Sequence, residues 1–242
     1  MHEIVILQMG STYEPLIRQI GDFDKWVFNK IPQKMQKFTT VVNSEQFPDY
    51  ILSNNPRAIL ITGSHGMVTE ATNVELKCFD ALKKAICRPK ELKNTPAVFG
   101  ICYGHQLLAH LLGGKAAQRV DGPEIGLVDI EFSANGDPLF QKYDKKSMPF
   151  FAVHYQCAQK LPQNAKLLAS STSEMHHAFR VDGYGAPIYG VQFHPEFPME
   201  ACVYYDEQGI SATVSEHEKR NRDIRERYID NTIIADFLDM VL

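Results

Sequence analysis

The chain has 242 residues, 44% of them hydrophobic and 22% charged, the balance of a folded protein and not of a long disordered one. Its formal net charge of −4 and the lack of a basic stripe argue against nucleic acid and anionic membranes as partners. No apolar run reaches the roughly 20 residues of a membrane helix, and Met1-His2-Glu3 lacks the basic start of a signal peptide, so a cytoplasmic protein is expected.

Three short apolar runs, Ile4 to Met9, Arg57 to Thr62 and Ala97 to Ile101, each end in a glycine or small-residue turn and read as buried strands. Helical patterns alternate with them. From Asn73 to Ile86, Val74, Cys78, Leu82, Ala85 and Ile86 form a stripe, and His105 to Leu112 is a short apolar helix stopped by Gly113-Gly114. Alternating β and α elements predict a mostly parallel central sheet with helices on both faces. The second half holds shorter strands, at Glu124 to Phe132, Phe150 to Val153, Leu167 to Ser170, His176 to Val181 and Ile188 to Phe193, which suggest a smaller antiparallel extension. Near the end, Ser215-x-x-Glu218 reads as a capping box, Glu216 to Arg227 as a solvated helix, and Ile233, Ile234, Phe237, Leu238 and Val241 as an apolar helix face. No repeat or linker divides the chain, so a single domain over 1–242 is expected.

The five cysteines, Cys78, Cys87, Cys102, Cys157 and Cys202, are odd in number and never spaced C-x-x-C, which reads as reduced thiols. One of them stands apart. Gly100-Ile101-Cys102-Tyr103-Gly104 follows a strand directly and precedes a helix, the thiol counterpart of the G-x-S-x-G elbow. Such a turn lifts the side chain above the sheet edge, and the helix N-terminus favours the thiolate. Gly190-Val191-Gln192-Phe193-His194-Pro195-Glu196 also closes a strand. In extended chain His194 and Glu196 face the same side, so the carboxylate can orient the imidazole. An attacking thiolate also needs oxyanion donors. The N–H of Tyr103 is the first candidate, and the turn Thr62-Gly63-Ser64-His65-Gly66, with Gly63 and Ser64 foremost, is the candidate for the second. Neither His176-His177 nor His154 with Cys157 has a complete ligand set, and no metal is expected.

Gly-Ile-Cys-Tyr-Gly-His-Gln (100–106) and Gly-Val-Gln-Phe-His-Pro-Glu (190–196) resemble the two signature motifs of class I, triad-type glutamine amidotransferases, in the same order and roughly ninety residues apart. The resemblance implies a flavodoxin-like α/β fold and a triad of Cys102, His194 and Glu196. It also implies hydrolysis of a γ-glutamyl amide through a γ-glutamyl thioester, with substrate contacts from Gln106 and from the segment at His154. It implies no metal and no organic cofactor. Two family segments read differently here. Gly-Gly-Pro at the oxyanion turn is Thr62-Gly63-Ser64, and His-x-Asp is His154-Tyr155-Gln156. About thirty residues, 199–231, stand between the His-Pro-Glu and the last helix as an insertion. The substrate is expected to be glutamine or a γ-glutamyl conjugate. Two alternatives are an ammonia-supplying subunit with a synthase partner and a non-catalytic binding or regulatory module on the same scaffold.

Overall fold

The computed structural model describes residues 3–88 and 95–242, so the reading of Met1 and His2 lies outside the described residues. The chain starts with β1 (Ile4–Gln8) and three short helices, α1 (Glu14–Ile20), α2 (Phe23–Asn29) and α3 (Gln33–Gln36). Next come β2 (Thr39–Asn43), α4 (Phe47–Ser53), β3 (Ala58–Ile61), α5 (Asn73–Ile86), β4 (Ala97–Ile101) and α6 (Tyr103–Leu111). The second half adds β5 (Lys115–Gln118), β6 (Glu124–Phe132), β7 (Ser147–His154), β8 (Gln156–Lys160), β9 (Ala165–Ser170), β10 (Ala178–Val181) and β11 (Ile188–Val191). It ends with α7 (Met199–Gly209), α8 (Val214–Arg227) and α9 (Ile233–Val241).

Nine strands form one sheet in the order β2-β1-β3-β4-β11-β10-β9-β6-β7. The first five are parallel. Counting β11 as the fifth, they follow the 2-1-3-4-5 order of flavodoxin-like folds. The other four continue the sheet in antiparallel pairs, and β5 and β8 form a separate antiparallel ribbon. The strand expected at Ile188 to Phe193 ends at Val191 and belongs to the parallel part, between β4 and β10.

Successive side chains of a strand point to opposite faces. Ile4, Ile6, Ala58, Leu60 and Phe99 pack on one face, with α2 and α9. Val5, Leu7, Ile59, Ile61 and Val98 pack on the other, against α4, α5 and α6. A third cluster, including Trp26, Phe151, Phe197, Tyr205 and Ile224, fastens α2, α7 and α8 to β7.

Two readings need correction. On α5, Val74, in the first turn, is exposed, and Phe79 is buried in its place on the packed face. The capping box is Thr213 with Glu216, not Ser215 with Glu218. Glu216 Oε2 accepts from the backbone N–H and the hydroxyl of Thr213, each at 2.7 Å, so α8 begins two residues earlier. The segment 199–231 is mostly helix, as α7 and α8. Arg220 grips the buried Asp206 with two bonds of 2.8 and 2.6 Å, joining the two helices, and Arg227 pairs with Asp129 of β6. Its ends lie together, since Asn231 Nδ2 donates to the carbonyl of Pro195 at 2.9 Å.

Phe237 anchors α9 on the sheet, fully buried between Phe99 and Tyr189 at ring distances of 5.3 and 6.0 Å. Phe237→Ala is expected to lower the unfolding free energy by about 3–5 kcal/mol. Denaturant titration checks this, and a midpoint unchanged from the parent would show that α9 contributes little to the core.

Candidate active site

The adjacent parallel strands β3, β4 and β11 set the geometry. Ile61 pairs with Gly100, and Ile101 pairs with Val191. The chain therefore leaves all three strands at one level. Thr62-Gly63, Cys102 and the segment Gln192 to Glu196 emerge side by side at the C-terminal edge, where α/β sheets bind ligands.

Cys102 sits between β4 and α6 with φ 50° and ψ −97°, a conformation that costs a non-glycine residue about 1–3 kcal/mol. Its neighbours let the turn close. A Cβ on Gly100 would lie 2.5 Å from the Gly104 carbonyl oxygen, and one on Gly104 would lie 2.8 Å from that of Ile61. The backbone N–H of Cys102 donates to Val191 at 2.8 Å. Helix α6 begins at Tyr103, so unshared N–H groups and the positive end of the helix dipole stand beside the sulfur. All five cysteines are free thiols.

His194 and Glu196 are held just as tightly. The His194 backbone donates to the Phe151 carbonyl of β7 at 2.9 Å, and the ring lies 4.0 Å from that of Phe197. Its Nδ1 donates to Glu196 Oε1 at 2.8 Å, with both side chains almost wholly buried. Burial disfavours the imidazolium, but the charges of Glu196 and Cys102 outweigh it and raise His194 to about 10. Its Nε2 makes no hydrogen bond of regular geometry, although the Cys102 thiol beside it contributes to that shift. A Cβ on Gly63 would stand 3.3 Å from His194 Cε1 and 3.9 Å from Cys102 Cβ. The glycine thus brings backbone against both side chains.

A cavity of about 270 Å³ opens over these groups, lined by Cys102, His194, Ser64, Gln106 and His154 among others. Gln106 and His154 reach it with little bonding capacity left. The Gln106 amide donates to the Gln156 carbonyl at 2.7 Å and to Gln192 Oε1 at 3.1 Å. His154 Nδ1 donates to the same carbonyl at 2.8 Å, and its Nε2 lies 2.8 Å from Glu124. A carbonyl only accepts, so Nδ1 carries a proton, and the second contact needs another between ring and carboxylate. Glu124 resists ionisation through burial, but bonds from His154, His177 and Ser173 hold it well below the usual carboxylate range. Gln156, at the place of the family's aspartate, donates to Thr69 at 2.6 Å.

Sequence reasoning missed the outer wall. Tyr13, His65 and Tyr205 line the same cavity. The Tyr205 hydroxyl lies 2.8 Å from Thr12 Oγ1 and 2.7 Å from His65 Nε2. Burial lowers the pKa of His65. Nothing local marks Tyr205, which comes from α7. Phe197, directly after Glu196, was the available signal. Among the described residues, no group of three or more His, Cys, Asp or Glu is placed to hold a metal ion, and no helix is long and apolar enough to cross a membrane.

The model of the class I glutamine amidotransferase family matches residues 20–202. The chain belongs to that family. A GMP synthase (glutamine-hydrolysing) of Treponema denticola is 30% identical over 196 residues, which are 80% of this chain and 32% of that protein. One of Caldicellulosiruptor saccharolyticus is 32% identical over 203 residues, 81% of this chain and 33% of that protein. This amidotransferase chain thus spans about a third of the length of these relatives. Two crystal structures share the fold, a glutamine amidotransferase of Thermotoga maritima and one of Methylobacillus flagellatus. Both superpose with a TM-score of 0.66 over 100% of this chain, at 17% and 16% identity and 98% and 96% of the other chain.

A raised His194 has a definite pH signature. Its contribution to stability is complete below its ordinary value of 6.5 and fades as pH rises toward about 10. Nitrogen NMR of the resting protein at pH 8 is expected to find His194 doubly protonated, and Glu196→Gln is expected to leave it neutral. A neutral His194 in the parent protein would contradict this account of the pair.

Proposed function

We propose that this amidotransferase chain hydrolyses a γ-glutamyl amide with Cys102 as nucleophile. The Cys102 thiolate attacks the γ-carbonyl carbon and the oxygen takes up negative charge. The N–H of Tyr103 donates to it, joined by an N–H from the Gly63-Ser64 turn, each donor contributing about 3 kcal/mol to the transition state. The protonated His194 gives its proton to the departing nitrogen, the C–N bond breaks, and a γ-glutamyl thioester remains. His194, now neutral, takes a proton from water, which attacks the thioester and frees glutamate and Cys102. Glu196 holds the ring and favours its charged form.

What supports this reading most is the meeting of three strand ends, where Gly63 backs onto both Cys102 and a His194 already bonded to Glu196. In the substrate pocket, Gln106 and His154 shape the floor. The Gln106 amide nitrogen and His154 Nδ1 both donate to the Gln156 carbonyl, which fixes the two side chains.

A second reading makes the chain the ammonia-supplying part of an assembly with a synthase. It draws on the GMP synthases, in which the matching region is only about a third of the protein.

The test is release of glutamate and ammonia from glutamine by the purified chain. Cys102→Ala is expected to abolish turnover with the fold intact, and Glu196→Gln to slow it by about 10²–10⁴-fold. A folded, active Cys102→Ala protein would sink the mechanism. Turnover that appears only when a synthase is added would favour the second reading.

A further inference from the structure

The Gly63-Ser64 turn and the N–H of Tyr103 follow different strands, and one carboxylate of α5 stands beside both. Tyr103 is the first residue of α6 and is 1% exposed. Its hydroxyl donates to Glu75 Oε1 at 3.2 Å. A Cβ on Gly66, at the end of the turn, would lie 3.7 Å from Tyr103 Cε2 and 3.8 Å from the same Glu75 oxygen. A single oxygen thus meets the elbow by a hydrogen bond and the turn by close approach. The Gly66 N–H donates to Ser64 Oγ at 3.0 Å, which carries the contact back along the turn. On the far side β1 closes the turn. The Met9 N–H donates to Thr62 Oγ1 at 3.0 Å, and a Cβ on Gly10 would lie 2.4 Å from Ser64 Oγ.

Glu75 is itself held. Its Oε2 accepts from the backbone N–H and the hydroxyl of Thr72, each at 2.8 Å, and its own N–H donates to Thr72 Oγ1 at 3.3 Å. This is the capping box of α5, and it uses only one carboxylate oxygen. The other is left for Tyr103. Phe79, one turn further along α5, sets its ring 6.5 Å from that of Tyr103. Burial, and then the Glu75 charge, raise the pKa of the Tyr103 phenol, so the hydroxyl stays protonated and is the donor. A buried hydroxyl without an acceptor is costly, so loss of Glu75 favours any shift of the ring, and of the elbow attached to it, toward another partner.

We infer that Glu75 is a positioning residue of the oxyanion hole, holding the Tyr103 N–H and the Gly63-Ser64 turn at a fixed separation through the Tyr103 hydroxyl. This rests on the hydrolase reading above. Glu75 touches no substrate in this role and acts only through the elbow and the turn. The carbonyl oxygen gains its charge as the thiolate attacks, so the placement of the two donors counts in the transition state more than in the bound substrate. A looser separation therefore lowers kcat and leaves KM nearly unchanged. Alkylation of Cys102 by iodoacetamide forms an S–C bond, expels iodide and builds no oxyanion, so it does not depend on that separation.

The test measures kcat and KM of the whole chain on glutamine and on γ-glutamyl-glycine, with alkylation of Cys102 followed by peptide mass. Tyr103→Phe removes the hydroxyl and keeps the ring. It is expected to lower kcat about 10–100-fold, with KM changed by less than about threefold and Cys102 alkylated at the parent rate. Glu75→Ala is expected to do the same, and the double variant to fall no further than either alone. Glu75→Gln, which can bond both Thr72 and Tyr103, is expected to keep most of the activity. Thr72→Ala weakens the same cap but leaves Glu75 beside Tyr103, and is expected to lower stability with kcat within about twofold of the parent. A parent kcat in Tyr103→Phe, an equal loss of alkylation, or an equal loss of kcat in Thr72→Ala would overturn this inference and leave the hydrolase reading standing. No turnover of either substrate by the parent chain would overturn both. If Tyr103→Phe does not fold, Glu75→Ala against Glu75→Gln decides.

Discussion

The parallel register of β3, β4 and β11 is the constraint on which the site depends. Gly63, Cys102 and His194 lie far apart in sequence and reach one another because each follows a strand that ends at the same level. A slip of one residue in any strand would turn its side chains to the opposite face. That cost is high here, because both faces of these strands are buried in separate apolar clusters. The packing that stabilises the sheet therefore also aligns the site.

Strain and charge are then concentrated on two short peptides. Cys102 holds an unfavourable backbone conformation in the elbow, and Glu196 and Cys102 raise the pKa of His194 against the burial that lowers it. Each is unfavourable alone and stable in company. Behind them, a buried polar layer of Glu124, His154 and His177 fixes the cavity floor without facing solvent. The candidate site is preorganised in this sense, with its side chains held in place by the protein alone.

Much of this was legible in the sequence, for identifiable reasons. Strands β4 and β6 and helix α5 match their expected ranges because glycine, proline or a cap bounds each one. The two motifs were readable because an elbow and a His-Pro-Glu each confine their chemistry to a few adjacent residues. What stayed hidden depends on tertiary contact. Two overlapping capping boxes, Thr213 with Glu216 and Ser215 with Glu218, satisfy the same local rule. Strand β2 is largely exposed and too short to show a pattern. Tyr205 belongs to the site only because α7 folds back over it, and the spent bonds of His154 appear only once Glu124 is opposite.

The hydrogen bond from Asn231 to the Pro195 carbonyl has a wider meaning. It places the two ends of the α7–α8 segment at one point on the scaffold, so the segment leaves the sheet and returns through a single doorway. The entropy of closing such an excursion rises only slowly with its length. Its sequence can lengthen, shorten or be replaced while the strands beneath keep their pairing. The sheet edge and the α7–α8 segment above it are thus tied together at one shared point of the chain.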